Sequence, residues 1–374
     1  MRLLHTADVH LGAPYRILGS RGGEQRHQLV ETFRRIVQLA IDERVDALIV
    51  AGDLFDGPNP SDALVNEVLD QARRLAIQGI PMVILPGTHD YAADGSVFQR
   101  VDFATRAPGC TVFGSAHPSV TLGDGELTLH GVISSTKSVD GNPLASLRLG
   151  AAPIQVGVGH GSLEIPGVVE SDDVLFRRDD VAKSGLQYLA LGHWHSFATH
   201  QFGKTWTCYA GAPEFVALDQ PGFGSIALVT LSPNGACEIE RRQVGRRRYE
   251  RLGMPVDGIA DAGTIARAIE QKADSDLVLD VTLTGQCEAG LLVDPLALET
   301  DLGSRFFRLR VRDESGAALA EVDLTTFPET TVLGRFARRM AERIAAASEP
   351  AERATLDEAL RIGVAALRGK VLSS

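Results

Sequence analysis

Five short apolar stretches in the first two hundred residues each end in side chains able to hold a metal ion. They read Asp8-Val9-His10, Gly52-Asp53-Leu54-Phe55-Asp56, Gly87-Thr88-His89-Asp90, Gly159-His160 and Gly192-His193-Trp194-His195. One such segment has little specificity, but the ordered set of five constrains the fold strongly. Groups at the carboxyl ends of strands in an α/β sheet converge on one place, so five distant segments can build one site. Asp8, His10, Asp53 and His195 suffice for one divalent ion. Asp53, His160, His193 and Thr88 would hold a second, with Asp53 bridging. Two ions roughly 3.5–4 Å apart activate water and polarise a phosphoryl oxygen. Imidazole with carboxylate suits manganese, iron or zinc better than calcium.

The surrounding pattern supplies the strands. Arg2 to His5, Val45 to Ala51 and Ile80 to Leu85 read as short buried strands. Between them, Leu29, Phe33, Ile36, Val37, Ala40 and Ile41 recur at helical spacing within Glu24 to Arg44. A second helix starts near Asn59-Pro60-Ser61, with Leu64, Val65, Val68, Leu69, Ala72 and Leu75 as its stripe. Strand–helix–strand alternation predicts parallel strands covered by helices. From Cys110 to about Ser134 a hairpin is expected around Gly123-Asp124-Gly125. Gln155 to Val158, Tyr188 to Leu191, Thr205 to Tyr209 and Ser225 to Leu231 are further strands, with a turn at Pro221-Gly222. The mixture predicts two sheets rather than one open parallel sheet. The flanking glycines Gly52, Gly87, Gly159 and Gly192 are expected to let the backbone turn sharply.

Near residue 250 the composition shifts, after a run of Arg241, Arg242, Arg246, Arg247, Arg248 and Arg251 that reads as a solvated linker in preference to the alternative, a DNA-binding patch. A smaller α+β unit follows: Ile265 to Lys272 is a helix, and Leu277, Leu279, Val281 and Leu283 alternate along a strand, as do Phe307, Leu309 and Val311. Arg308, Arg310 and Arg312 share one strand face, either the wet side of a half-buried sheet or a phosphate-facing stripe. From about Thr330 the chain is helical, with Val332, Phe336, Met340 and Ile344 forming one stripe. After Pro350, Leu356, Leu360 and Val364 form another. The expected organisation is 1–250, 251–329 and 330–374.

Composition excludes several classes. With 374 residues, 44% of them hydrophobic and 23% charged, the chain can bury sizeable cores and does not read as disordered. No apolar run approaches the roughly 20 residues that span a bilayer. MRLLHTADVH runs directly into the first motif, so no signal peptide is expected. Cys110, Cys208, Cys237 and Cys287 are scattered, which fits reduced thiols in a cytoplasmic protein. A net charge of −11 disfavours coating nucleic acid by electrostatics alone but leaves a metalloenzyme open, because bound ions add local positive charge.

His89 has no metal role in this scheme. Its expected work is to stabilise developing phosphoryl charge or protonate the leaving oxygen, with Asp56 orienting it. A purely structural histidine is the other reading. His5, His27, His117, His130 and His200 lie outside the motifs and read as ordinary surface or core residues.

HTADVHLG, GDLFD, GTHD, GHG and GHWH together resemble the calcineurin-like metallophosphoesterases, and most of all the SbcD-type DNA double-strand-break repair nucleases. The resemblance covers about residues 1–235, and VLDVTLTG, DPLALE and FFRLRV are similar to that family's capping domain. It implies an α/β fold: a two-sheet α/β/β/α sandwich with a small α+β cap and carboxyl-terminal helices. It also implies manganese as the usual metal and Asp8, His10, Asp53, His160, His193 and His195 as ligands. His89 becomes catalytic with Asp56 its partner. Thr88 departs from the pattern: the family's GNHD or GNHE motif puts an asparagine carbonyl on the second metal, and a hydroxyl is a shorter, poorer ligand. Weaker occupancy of that position is the expectation. Partners implied are DNA and an SbcC-type ATPase whose coiled coil the terminal helices bind. A homodimer is the family's habit, and no membrane is involved. The reading is a nuclease acting on DNA ends. Two alternatives stand beside it: a phosphodiesterase of a small phosphorylated molecule, and a catalytically weakened subunit that mainly binds DNA or the ATPase.

Overall fold

The computed structural model describes residues 1–133, 141–216, 222–259, 261–287, 293–317, 327–328 and 330–367. The chain divides into two units, Met1–Tyr249 and Glu250–Ser374. Pro221, expected in a turn, and the Cys287 thiol lie outside what is described.

In the first unit the apolar runs become strands and the amphipathic stretches become helices. In order they are β1 (Arg2–Thr6), α1 (Gly22–Asp42), β2 (Ala47–Ala51), α2 (Asp62–Ile77), β3 (Met82–Leu85) and β4 (Cys110–Val112). Then come β5 (Ser119–Leu122), β6 (Leu127–Gly131), β7 (Ile154–His160), β8 (Ser162–Leu163), β9 (Leu175–Phe176), β10 (Tyr188–Gly192), β11 (Ala198–Phe202) and β12 (Thr205–Tyr209). Last are β13 (Gly222–Leu231) and β14 (Cys237–Pro255).

Within this unit one sheet runs β14-β13-β1-β2-β3-β4, with β1 to β4 parallel and β13 antiparallel to both its neighbours. The other runs β11-β12-β10-β7-β6-β5, parallel through β6, β7, β10 and β12, with antiparallel strands at both edges. Leu3, Ile49 and Val83 from the first sheet meet Leu129, Val156 and Ala190 from the second in one buried core. This face-to-face packing answers the two-sheet expectation. On the first sheet's outer side, α1 buries Leu29, Phe33, Ile36 and Val37 completely. Burying each such side chain contributes about 1.5–3 kcal/mol. Phe33→Ala would therefore cost about 3–5 kcal/mol.

Two sequence expectations need correction. Cys110–Val112 is not an arm of the hairpin: it joins the first sheet parallel to β3, and the hairpin is β5 with β6 around Gly123–Gly125. Three residues carry too little periodicity to announce which sheet they join. The arginine run is not a linker but part of β14, paired antiparallel with β13. Arg241 stacks over Phe197 at 5.4 Å and Arg248 over Phe223 at 5.6 Å. Arg242 pairs with Glu240 at 2.7 Å, and buried Arg247 donates to Gln25 Oε1 at 2.8 Å. Long arginine stems cover apolar surface, which is why a charge-rich segment can still be a strand.

The second unit contains α3 (Ala262–Glu270), β15 (Asp274–Thr284), α4 (Pro295–Leu302) and β16 (Phe306–Asp313). Two longer helices follow, α5 (Val332–Ala346) and α6 (Pro350–Leu367). Strands β15 and β16 pair in parallel, with Val281 opposite Val311. Their Leu277, Leu279, Val281, Leu309 and Val311 pack on Ile265, Ile269, Leu298 and Leu302 from α3 and α4. Asp261 caps α3 and Asp294 caps α4 by accepting from backbone N–H groups. Opposite that core, Arg312 pairs with Asp280 at 2.9 Å. Helices α5 and α6 pack mainly on each other: Phe336, Met340 and Ile344 meet Leu356, Leu360 and Val364, whereas Val332 is 75% exposed. Among the described residues no helix is long and apolar enough to cross a membrane.

Candidate metal centre

All five ligand-bearing segments sit where strands stop. Asp8 and His10 follow β1, Asp53 follows β2, and Thr88 and His89 follow β3. His160 is the last residue of β7, and His193 comes directly after β10. The loops after β1 and β2 are laced together: Asp8 N donates to Gly52 O at 3.1 Å and His10 N to Asp53 O at 3.0 Å. To make these turns, Asp8, His10, Asp53 and His193 all take positive φ, at 51°, 50°, 52° and 104°. Non-glycine residues rarely occupy that region, and each instance costs of order 1–3 kcal/mol, so the surroundings must hold it.

The side chains converge as the sequence predicts. Ligand atoms of Asp8, His10 and His195 lie within 4.8 Å of one another, as do those of Asp8, Asp53 and His160. Asp53 Oδ2 stands 3.2 Å from His160 Nε2 and 3.8 Å from His10 Nε2. Thr88 Oγ1 is 3.4 Å from both Asp53 Oδ2 and His160 Nε2. The His160 and His193 rings are 5.4 Å apart. His10 Nε2 is buried, makes no hydrogen bond and faces the Asp53 carboxylate. A cluster of oxygen and imidazole donors around such an atom fits divalent ions of intermediate hardness.

Several outer ring nitrogens are held, and this determines which nitrogen faces inward. His10 Nδ1 lies 3.2 Å from Asp56 Oδ1, and His160 Nδ1 is 3.0 Å from the Ala51 carbonyl. Both rings therefore present Nε2 to the centre. Burial by itself would push His160 down, but the Asp53 and Asp8 carboxylates and the Asp53 hydrogen bond outweigh it and hold it up at about 9. Asp90 is pushed up to about 7, by burial first and then by the Asp53 carboxylate. The centre is thus crowded with negative charge, and cations would relieve it.

Ligand atoms of His10, Asp56 and His89 also lie within 4.8 Å of one another. His89 Nδ1 is 3.9 Å from the Asp56 carboxylate and 3.4 Å from its carbonyl oxygen, while the carboxylate lies closer to His10. The His89 side chain remains half-exposed and lines a cleft of about 530 Å³. That cleft is lined in part by Asp56, Thr88, His89, Tyr91, Asp172 and His193.

The flanking glycines do their work differently than expected. Only Gly52 has a positive φ, at 90°. The others are needed for space: a Cβ on Gly87 would stand 2.2 Å from Asp53 Oδ1, on Gly192 2.0 Å from Ala51 O, and on Gly159 2.6 Å from Phe176 Cζ. Two carboxylates escaped sequence reasoning. Asp90 closes the GTHD motif and bolts two loops together, accepting from Gly87 N at 2.7 Å and Phe55 N at 3.0 Å. Its place in the motif was the available signal. Asp172 reaches His193 Nε2 at 3.2 Å from a loop whose sequence carries no motif.

A two-sheet α/β sandwich with carboxylate and imidazole donors gathered at its strand ends is the architecture of a metallophosphoesterase. The chain belongs to the calcineurin-like phosphoesterases, a hydrolase family that uses divalent metals, whose model matches residues 1–197. It is 27% identical over 296 residues to the DNA double-strand break repair protein Mre11 of Methanosarcina mazei, covering 75% of this chain and 45% of that protein. It is 26% identical over 309 residues to the protein of the same name from Haloferax volcanii, covering 80% and 64%. The Bacillus subtilis uncharacterized metallophosphoesterase YhaO is 24% identical over 311 residues, covering 79% and 74%. This chain thus spans between about half and two-thirds of the two Mre11 proteins.

Proposed function

We propose that the chain is a metal-dependent phosphodiesterase that cleaves DNA in break repair. The observation that carries this is the convergence of Asp8, His10, Asp53, His160 and His195 on one centre, with the unpartnered His10 Nε2 facing it. The DNA part of the reading comes from the relatives that bear a break-repair name. Asp8, His10, Asp53 and His195 would hold one divalent ion, and Asp53, Thr88, His160 and His193 a second. Manganese is the proposed metal, with iron or zinc fitting the same donors. When bound, such ions acidify water and neutralise charge on the phosphoryl group.

The chain's own residues do the rest. Asp53, fixed by the His89 backbone N–H at 2.8 Å, serves both positions. Asp56 holds His10 in the tautomer whose Nε2 coordinates. His89, half-exposed and lining the cleft, can reach a substrate and protonate the leaving oxygen, which the buried His10 and His160 cannot. In the second unit, Arg308, Arg310 and Arg312 on β16 are proposed to meet DNA phosphates in a cap formed by 251–329. Helices α5 and α6 are proposed to engage an SbcC-type ATPase. Because Phe336, Met340 and Ile344 are already covered by α6, exposed positions such as Val332 would make that contact.

The test compares manganese-dependent release of nucleotides from single-stranded and duplex DNA with hydrolysis of a small aryl phosphodiester. Turnover of DNA well above the aryl ester supports the proposal. Turnover of the aryl ester alone points to a small-molecule phosphodiesterase, and none on either substrate refutes the enzymatic reading.

A further inference from the structure

The loop between β8 and β9 brings a carboxylate to His193 and ties it to a chain of side-chain contacts. Asp172 Oδ2 lies 3.2 Å from His193 Nε2 and also accepts from Ser162 Oγ. Ser162 Oγ in turn accepts from Trp194 Nε1 at 3.0 Å. The Trp194 indole stacks on Tyr209, with centroids 5.2 Å apart and planes at 13°. The buried Tyr209 hydroxyl accepts from Leu163 N at 2.6 Å and donates to Gly161 O at 2.9 Å. Pairing of Ser162–Leu163 with Leu175–Phe176 closes the base of the loop. Two aromatic rings thus fix Ser162, and Ser162 fixes Asp172.

A carboxylate only accepts hydrogen bonds, so the facing His193 Nε2 carries a proton, and in the neutral ring Nδ1 then carries the lone pair. The backbone of His193 is held independently, its N–H donating to Asp8 Oδ1 at 3.0 Å. The ring stands beside His160, on the side of the centre where Thr88 is the weak donor.

We propose that Asp172 is a positioning residue for the second metal position: it fixes His193 with Nδ1 free to coordinate, makes that nitrogen a stronger donor, and so offsets the poor ligand Thr88. The proposal rests on the metal-dependent reading above. Carboxylates behind histidine ligands are generally worth ten- to hundredfold in metal affinity. Here the effect falls on one position only, because His10 and His160 have their own outer partners, Asp56 and the Ala51 carbonyl.

The experiment is a manganese titration of the full chain by calorimetry and electron paramagnetic resonance. It uses the unmodified protein, Asp172→Ala, Asp172→Asn, and Asp172→Ala combined with Thr88→Asn, each with a thermal melt. The unmodified protein should bind manganese in two unequal classes. Asp172→Ala should weaken the weaker class by about 10–100-fold, leave the tighter one in place, and abolish the spin-coupled two-ion signal at concentrations that saturate the unmodified protein. Asp172→Asn, almost isosteric and still able to accept the hydrogen bond, should show a smaller loss and guards against misfolding of the alanine variant. Adding Thr88→Asn should restore the coupled signal, which a merely structural role for Asp172 would not permit. Two classes that survive both Asp172 substitutions unchanged, or that weaken together, overturn this assignment while leaving the metal centre standing. No manganese binding by the unmodified protein overturns the metal-dependent reading and this assignment with it.

Discussion

Gly52→Ala is the substitution by which the geometry of the centre is most directly tested. At φ 90°, Gly52 occupies backbone space that side-chain-bearing residues avoid. That alone costs alanine roughly 1–2 kcal/mol. Its Cβ would also fall 2.0 Å from His160 Nδ1, 2.5 Å from Cγ and 2.9 Å from Cβ. No real contact is that short, so the His160 ring must retreat and lose its 3.0 Å hydrogen bond to the Ala51 carbonyl. Overpacking of this kind costs about 1–3 kcal/mol, for a total of about 2–5 kcal/mol. In a unit of this size that lowers Tm by about 4–20 °C. The functional loss should exceed the structural one. Metal–ligand lengths tolerate only about 0.2 Å, and the displaced ring carries Nε2 away from Asp53 by more than that. The weaker manganese class should therefore disappear while the tighter one, which does not use His160, persists. Scanning calorimetry and manganese titration measure both effects. Gly114→Ala is the control, because a Cβ there meets nothing within 4 Å. If Gly52→Ala melts like the unmodified protein and keeps both metal classes, the placement of His160 against Gly52 is wrong.

Three further outcomes are expected. Thr88→Asn should tighten the weaker manganese class, since an amide oxygen reaches farther than a hydroxyl and donates better; two equal, tight classes in the unmodified protein would contradict this. His89→Ala should lower kcat by about 10²–10⁴-fold, with manganese affinities unchanged in titration, because general acid catalysis contributes about that much; retained turnover would return His89 to a structural role. Burial lowers the His5 imidazole from 6.5 to about 3. The unfolded chain therefore takes up a proton near pH 6.5 that the folded chain refuses, so stability is lost as pH falls below 6.5 and the loss levels off near 3. The slope is about 1.4 kcal/mol per pH unit and the whole effect on the order of 5 kcal/mol. Urea unfolding between pH 7 and 4.5 should show a shallower pH dependence for His5→Gln, and parallel curves would remove His5 as the cause.

Much of the centre could be read from the sequence because strand ends announce themselves. VDALIVA followed by Gly-Asp reads as a buried strand with a carboxylate at its carboxyl end, and Ala47–Ala51 is fully buried. What escaped depends on distance. Asp172 reaches His193 across 21 residues from a loop that has neither periodicity nor motif, so only the folded chain brings the two together. Asp56 lies in a motif beside His89, yet its carboxylate ends nearer His10, because the loops after β1 and β2 are laced by backbone hydrogen bonds that no side-chain pattern encodes. The arginine-rich strand is hard to read from sequence for a related reason. Charge suggested solvent, whereas pairing with β13 and stacking on Phe197 and Phe223 absorb it.

The proposed donors are divided between the two sheets. Asp8, His10, Asp53 and Thr88 hang from the first, and His160, His193 and His195 from the second. An ion held as proposed is therefore a rivet through the sandwich, and prising the layers apart means giving it up. At one hundred times its dissociation constant, a ligand of the native state adds about 2.7 kcal/mol against unfolding. Chelation should then loosen the body as well as silence it, and proteolysis in a chelator should open the gap between the layers first. The same division sets an order of assembly. Asp8 and His193 are 185 residues apart, so the rivet hole is drilled only after β10 has been made and docked.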